Sequence, residues 1–550
     1  MDKSVKKQNF LQGAAMLAIA TAVVKLIGAF YKLPLNEAIG PEGYAYFTTA
    51  YDIYSVLLMI STAGLPVAMS RMISQASALG HYNQVRKIYT TSRAIFLGLG
   101  IFSTLFMVLG CKILADSLNQ PGAWPAILCL GPCALFMVIM STYRGFFQGQ
   151  GDMRPTSNSQ MLEAVFKLVV GLAAAFAIMH FTGSVAWAAG GAILGVTVSC
   201  LISVFYLRHR FVPAYKQMPV SKDQAGSFGS TTKQLLAIAI PITIGSAGLQ
   251  LLTVLETGLY MDRLVYLIGS DQYMGHLVTS ELDPQRAATT LKGVYNMAQT
   301  IFNMPCAFIV PITVSVIPAV TSYLTLLQND QVKATEESAA RITGLMSLPC
   351  AVGLFLLGQP VMGLLGGYEG EQLVIGGQLM AVLGLCIFPY AIIQYTNALL
   401  QAHGYAHVPV INMLVCGAAK LAVVYILVGN PAIGIMGAPI GALACYICIA
   451  ILNLLAISRL VPQKPRLLLS LVRPALAAVT MGITVWGAQL GLQLLFGGST
   501  SRTASLILCG GPIAVGIVVY FICVVLFKAI TAEDCKLLPK GEKIAKILHL

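Results

Sequence analysis

Long apolar segments recur along the whole chain, each about 20 residues in length, with short polar stretches between them. An α-helix of this length crosses the roughly 30 Å hydrocarbon core of a bilayer. The segments are too continuously apolar for barrel strands, so they predict an all-α integral membrane protein with about fourteen transmembrane helices. The expected spans are 11–32, 45–71, 88–112, 123–147, 156–180, 185–207, 234–261, 291–323, 339–358, 372–400, 407–428, 437–459, 470–496 and 505–528.

Composition agrees with this pattern and limits the classes of function. Only 10% of the 550 residues are charged, against about 25% in soluble proteins. The net charge of +13 fits lysines and arginines gathered in cytoplasmic loops rather than a nucleic-acid partner. Their distribution predicts that both termini lie in the cytoplasm. The cysteines lie mostly inside apolar segments, and none of them suggests a metal site, so we expect none.

The N-terminal apolar segment continues to Leu35, beyond a short stretch that resembles a signal-peptidase site. We therefore interpret 11–32 as the first helix rather than as a cleaved signal peptide.

The two halves of the chain carry matching residues in the same order. The pairs are Tyr51/Tyr295, Pro66/Pro311, Gln84/Gln331, Val85/Val332, Arg93/Arg341, Gln148/Gln401, Gly151/Gly404 and Lys167/Lys420. Each half has six predicted helices and begins on the same side, which indicates a parallel repeat with the substrate between the halves. We expect an N-terminal bundle with linker at 1–230, a C-terminal bundle at 231–465, and two additional helices with a basic tail at 466–550.

Lysines at membrane depth are the first candidates for a binding site, because a charge in hydrocarbon costs several kcal/mol. Lys25 lies midway along the first helix, and Lys32 follows two turns later, where it can also extend to the outer interface. Lys167 and Lys420 occupy matching places in the repeat. These four lysines predict a cationic cavity.

Three acidic residues lie at similar depth and are candidates for charge balance or for binding a coupling cation: Asp52, Glu163 and Glu256. Glu163 stands four residues before Lys167, so the two can form an ion pair on one helix. In the second half, Cys416 stands where Glu163 stands in the first.

Glycines and prolines mark turns and hinges. Gly64, Pro66 and Pro311 predict kinks inside moving helices. Between the fourth and fifth helices lie Arg144, Gly145, Gln148, Gly149 and Pro155. This segment lacks the Lys-Ser/Thr ending of a phosphate-binding loop, so we expect a tight turn rather than a nucleotide site.

Two stretches resemble a known family. RGFFQGQGDMRPTSNSQMLEAVFKL (Arg144 to Leu168) and AGLPVAMSR (Ala63 to Arg71) are similar to the polysaccharide transporters of the MOP superfamily. Within it they resemble the stage V sporulation protein B and YtgP group, which is related to lipid II flippases of the MurJ type. The resemblance covers nearly the whole chain, including the fourteen-helix layout.

The resemblance implies a flippase that moves an undecaprenyl-diphosphate-linked cell-wall precursor, first of all lipid II, to the outer leaflet by alternating access. It also implies a monomer without cofactor in the bacterial plasma membrane, driven by Na⁺, H⁺ or the membrane potential. MurJ-type proteins line their cavity with arginines in helices one, two and eight. This sequence instead offers Lys25 and Lys32 in helix one, and no arginine inside helix eight.

Three other functions stay open. A flippase for capsular or exopolysaccharide repeat units would use the same carrier chemistry. A multidrug antiporter of the same superfamily would need acidic cavity residues for a cationic substrate. A membrane enzyme acting on the lipid carrier would need an outer loop with acids and bases, and the stretch 263–290 holds several. The internal repeat favours transport over fixed-site catalysis, so we expect no enzyme.

Overall fold

The computed structural model describes residues 3–59, 65–270, 283–462, 465–496, 502–531 and 534. Over these ranges the chain forms fifteen α-helices, two short 3₁₀ turns and no β-strand. The helices are α1 (Lys3–Met59), α2 (Leu65–Ala78), α3 (Tyr82–Ser117), α4 (Trp124–Gly149), α5 (Arg154–Thr182), α6 (Val185–Lys216), α7 (Phe228–Gly269), α8 (Pro284–Thr325), α9 (Asn329–Leu356), α10 (Gly358–Gly366), α11 (Gly370–Ala402), α12 (His407–Val428), α13 (Gly437–Leu460), α14 (Leu467–Phe496) and α15 (Arg502–Leu526).

Ten of these helices are long and apolar enough to cross a membrane, counted within the described ranges. They are α3 to α6, α9 and α11 to α15. Because the bilayer offers no water to backbone amides, helices of this kind close all their hydrogen bonds internally. The predicted fold class, an all-α multi-pass membrane protein, is confirmed, and the count of fourteen spans stays a prediction.

The first two predicted helices differ from the structure in their boundaries. α1 covers 11–32 and continues through a bend at Gly40, which has φ 67° and ψ 178°. Glycine adopts positive φ without a steric penalty, and the following Pro41 disfavours helical backbone at residue 40. The helix expected at 45–71 overlaps α1, which is described as far as Met59, and α2, which is described from Leu65. Because 60–64 lie outside the described residues, the continuity of this helix stays a prediction.

By its internal contacts the chain divides into two compact units. Unit 1 contains 1–265 and 283–293, and unit 2 contains 266–282 and 294–550. The boundaries expected near 230 and 465 follow the sequence repeat rather than packing, and they stay a prediction.

Gly145 and Gly149, both in the second half of α4, allow this helix to pack closely against α2 within unit 1. A methyl group added at Gly145 would lie 3.3 Å from the backbone of Pro66. One added at Gly149 would lie 2.7 Å from Ile73 and 3.0 Å from the carbonyl oxygen of Ser70. Small residues spaced four apart allow such close helix packing in membranes. The two stretches that carry the family resemblance therefore pack against each other.

The connection between α6 and α7 is fastened to the start of α3. The Asp223 carboxylate accepts hydrogen bonds from the backbone N–H groups of Asn83 and Gln84, at 3.1 and 2.9 Å. The Gln84 side chain accepts one from the Gly226 N–H at 2.6 Å, and the Ser221 hydroxyl donates to Gly80. Desolvation raises the pKa of Asp223, but the bonds from Ser221, Gln84 and Asn83 outweigh it and hold that pKa below its usual range.

Buried polar groups join the helices of unit 2. The Asn453 side chain on α13 donates to Thr396 and Asn397 on α11, and it accepts a bond from Asn412 on α12 at 2.9 Å. Fully satisfied amide networks fix helix register in a membrane interior.

The last described residue of unit 2, Asp534, follows α15, and its carboxylate is fully buried. Arg341 on α9 forms an ion pair with Asp534 at 2.9 Å, and the Ser338 hydroxyl donates to the same carboxylate. This pairing satisfies a charge that would be costly to bury alone.

Candidate functional site

Two lysines from different helices approach one tyrosine ring in unit 1. The Lys32 ammonium lies 5.1 Å from the centroid of the Tyr51 ring, and the Lys167 ammonium lies 5.6 Å from the same centroid. Lys167 also donates a hydrogen bond to the Tyr51 hydroxyl at 3.4 Å. The ring's electron-rich face attracts each cation, although the two cations repel each other. Helix α1 supplies both Lys32 and Tyr51 because it bends back at Gly40.

A third lysine lies deep inside unit 1. Lys292 in α8 is fully buried and donates a hydrogen bond to the Thr49 hydroxyl. Asp52, three residues beyond Thr49, is within electrostatic reach of both Lys292 and Lys32. A carboxylate between two lysines stabilises charges that would otherwise be hard to bury.

A second acidic residue faces the same group. Glu256 on α7 is 9% exposed and repels Asp52 electrostatically, and Tyr260, one turn later, interacts with both carboxylates. The cluster thus combines three lysines with two acidic residues, which leaves an excess of positive charge. We call Lys32, Tyr51, Asp52, Lys167, Glu256 and Lys292 the lysine cluster.

The expected ion pair between Glu163 and Lys167 is replaced by another. Glu163 pairs with Arg144 on α4 at 3.1 Å, and both side chains are largely buried. The Tyr54 hydroxyl donates to Glu163 at 3.1 Å, and Arg144 donates to the Ser159 hydroxyl at 2.9 Å. Since Arg144 satisfies the Glu163 carboxylate, Lys167 is directed to Tyr51, although Glu163 stays within electrostatic reach. Arg144 is therefore a buried ion-pair partner rather than a residue of an exposed cytoplasmic turn.

The other predicted residues fall in several places. Lys25 belongs to α1, but its side chain lies outside the described residues, as do the whole of Gly64 and the side chain of Pro311. Lys420 is half-buried on α12 of unit 2 and interacts with Cys386 of α11. Its repeat partner Lys167 belongs to unit 1, and a cavity that includes all four lysines stays a prediction.

The turn between α4 and α5 is shorter than expected, because Arg144, Gly145, Gln148 and Gly149 all belong to α4. Gln148 and Gly149 end α4, Gly151 has φ 81°, and Pro155 lies in the first turn of α5. Gly404, which the repeat pairs with Gly151, has φ 86° in the corresponding turn of unit 2. The same left-handed conformation in both turns explains why glycine occupies both positions.

Two members of the lysine cluster were not predicted. Lys292 closely follows the polar stretch 263–290 in the sequence, yet its side chain is fully buried. Tyr51 was noted only as a marker of the repeat. A hydrophobic pattern reports the depth of a residue but not which side chains from other helices face it. Lys292 places a cation in helix eight, where the family resemblance implies an arginine.

An arrangement of this kind suits an anion. Lysine ammonium groups are compact point charges with three donors each, and in a site away from water their attraction for a phosphate is strong. An anion at Tyr51 would also relieve the repulsion between Lys32 and Lys167. The carboxylates of Asp52 and Glu256 hold part of the charge balance.

Comparison with known proteins identifies the family. Residues 10–324 match the family model described as "Polysaccharide biosynthesis protein". Stage V sporulation protein B of Bacillus subtilis (strain 168) is 24% identical over 97% of this chain and 98% of its own length. The lipid II flippase MurJ of the same organism is 23% identical over 94% of this chain and 95% of its own.

Solved structures show the same fold. "Lipid II flippase MurJ, inward closed conformation" superposes with a TM-score of 0.66 at 14% identity, covering 93% of this chain and 98% of that one. An inward-facing MATE multidrug transporter of the MOP superfamily superposes with a TM-score of 0.63 at 16% identity, covering 80% and 99%. The relatives and solved structures whose names give an activity are flippases or transporters rather than enzymes. This agrees with the expectation, drawn from the internal repeat, that the protein is not an enzyme. The chain is a multi-pass membrane protein that belongs to the polysaccharide biosynthesis protein family and has the fold of MOP-superfamily transporters.

Proposed function

We propose that this protein is a flippase for an undecaprenyl-diphosphate-linked cell-wall precursor, with lipid II as the first substrate. The observation that carries the proposal is the approach of Lys32 and Lys167 to one Tyr51 ring. The relation to a lipid II flippase over nearly the full length of both chains supports the same substrate class.

The diphosphate is the part of such a substrate that this site fits. It carries charge that the membrane interior repels, and two ammonium groups from separate helices can bind it together. In this account Lys32, Lys167 and Lys292 supply the positive field, while Lys25 and Lys420 complete the predicted cavity. The sugar and peptide portion would contact other residues.

Transport would proceed by alternating access, with the repeat halves opening the site to either side. Asp52 and Glu256 are the residues proposed to bind a coupling cation, H⁺ or Na⁺, because they are carboxylates inside the lysine cluster. The membrane potential could drive the return step, since moving one charge is worth about 2.3 kcal/mol per 100 mV. We further propose a monomer with both termini in the cytoplasm.

The multidrug antiporter is the second candidate, and one observation favours it. Asp52 and Glu256 lie in the same cluster as the lysines, and carboxylates bind cationic drugs. The excess of lysines over acids argues for an anion instead. A flippase for capsular repeat units differs from the first proposal only in the sugar, so substrate competition separates the two.

Genetic complementation tests the proposal. A bacterial strain depleted of its lipid II flippase should regain growth when it expresses the wild type, and it should not regain growth with Lys25→Ala or Lys167→Ala. Lys112→Ala is the matched control, because Lys112 lies 5.5 Å from the Trp124 ring centroid, outside the cluster. A well-inserted wild type that gives no rescue rejects lipid II and moves capsular sugar lipids or drugs ahead.

A further inference from the structure

A small cavity on unit 1 carries two arginines that the transport site does not use. It has a volume of about 140 Å³ and lies among α3, α4 and α6. Arg93 from α3 and Arg208 from α6 belong to its lining, together with Phe96, Thr142 and Phe205. None of the lining residues is acidic.

Both arginines mark the same edge of the membrane. Arg93 directly precedes the uncharged stretch 94–111, and Arg208 directly follows the uncharged stretch 185–207. Positions at the ends of apolar segments lie at the level of lipid headgroups, and the distribution of lysines and arginines places this edge on the cytoplasmic side.

The surface around the cavity is apolar and faces lipid. Phe205 is 62% exposed, and on α3 Ile101 and Leu105, one and two turns beyond the lining residue Leu97, are 51% and 53% exposed. In a membrane protein such an exposed apolar face contacts acyl chains. A ligand held at the arginines can therefore extend its chains along α3.

Neither arginine forms a salt bridge within the part of the chain that the structure describes. In unit 2, the arginine at the matching position of the sequence repeat does have a charged partner. Arg341, which the sequence repeat pairs with Arg93, holds the buried carboxylate of Asp534 in a hydrogen-bonded pair. The corresponding arginine in unit 1 has no such carboxylate in the described ranges.

From these observations we propose that the cavity lined by Arg93 and Arg208 binds the phosphate of an anionic phospholipid of the inner leaflet. Guanidinium groups bind phosphate oxygens in a planar, bidentate geometry, and basic pockets between transmembrane helices at the cytoplasmic surface suit anionic headgroups. Phe96, Phe205 and the exposed face of α3 accommodate the glycerol backbone and the acyl chains. The site is separate from the lysine cluster, and its test does not depend on transport.

Native mass spectrometry of the full chain in detergent tests the site, with phosphatidylglycerol and phosphatidylcholine as probes. The test variant is Arg93→Gln/Arg208→Gln. The control is Lys87→Gln/Arg210→Gln, which removes the same charge from the same two helices but outside the cavity lining. Equal thermal unfolding midpoints in phosphatidylcholine establish that both variants fold.

We expect the wild type to bind phosphatidylglycerol more tightly than phosphatidylcholine. The test variant should lose roughly tenfold or more of its affinity for phosphatidylglycerol, and the control about twofold at most. Equal binding of the two lipids by the wild type, or equal losses in both variants, would overturn the site. Displacement of the lipid by inorganic phosphate would assign the cavity to a soluble anion and overturn the lipid assignment.

Discussion

Lys167 on α5 donates a hydrogen bond to the hydroxyl of Tyr51 on α1, with 3.4 Å between the two atoms. The same ring receives Lys32 on its face, so one aromatic residue positions two cations from separate helices. In the proposed function this arrangement holds two like charges ready for a diphosphate. Its consequences can be tested residue by residue.

Substitution of Tyr51 should separate the role of its ring from that of its hydroxyl. Tyr51→Phe keeps the ring and loses the acceptor for Lys167, so we expect the transport rate to fall by about fivefold, as for one lost hydrogen bond. Tyr51→Ala also loses both cation–ring contacts, so its transport rate should fall by more than about tenfold. Initial rates of lipid translocation in proteoliposomes measure both. Rates near wild type for Tyr51→Ala would contradict this role.

The ion pair between Arg144 and Glu163 should be structural. Arg144→Ala leaves a buried carboxylate without its partner and should destabilise the protein by about 3 kcal/mol. The control is Arg286→Ala, which removes an ion pair of the same 3.1 Å length to Glu42, in which Arg286 is 58% exposed. That loss should destabilise the protein far less, because solvent screens an exposed ion pair. Thermal unfolding in detergent distinguishes them, and equal shifts would argue against a structural role for the buried pair.

Close packing of α4 on α2 predicts that Gly149 tolerates no side chain. Gly149→Ala should destabilise by about 1–3 kcal/mol, because its methyl group would press on Ile73 and on the backbone of Ser70. Gly98→Ala on α3 meets nothing within 4 Å and should be neutral or slightly stabilising, since alanine favours helix. Unfolding midpoints that shift equally for the two variants would disprove the tight contact.

The fastening of the linker by Asp223 should persist at neutral pH. The pKa of the Asp223 carboxyl is lowered in the folded protein. The stability that its hydrogen bonds contribute is therefore fully present above the ordinary carboxyl pKa of about 3.9, and it is lost as pH falls through the lower folded pKa. Asp223→Ala should therefore speed hydrogen exchange at the amides of Asn83, Gln84 and Gly226 at pH 7. The neighbouring Lys222→Ala should leave exchange unchanged. Unaltered exchange in Asp223→Ala would show that the linker is held by other contacts.

Sequence patterns predicted the helices well and the pairing of side chains poorly. Apolar segments of about 20 residues identify helices such as α5 and α6, because length and hydrophobicity alone determine whether a segment can span a bilayer. The Gly40–Pro41 pair was a readable signal for the bend in α1.

The lysine cluster was only partly predictable. Depth along a helix correctly singled out Lys32, Lys167, Asp52 and Glu256 as buried or half-buried ionisable residues. The partners come from tertiary contacts between helices far apart in sequence, as Glu163 shows by pairing with Arg144 rather than with Lys167 on its own helix. Lys292 closely follows a polar stretch of the sequence, so its position along the chain gave no sign that it is buried within α8, which begins at Pro284.

The most direct test of the central claim is the translocation of fluorescent lipid II by the purified protein in proteoliposomes. The wild type and Lys112→Ala should move the lipid at equal rates. Lys32→Ala/Lys167→Ala, which removes both cations from the Tyr51 ring, should be slower by roughly tenfold or more. A double variant that moves lipid II at the wild-type rate would contradict the account.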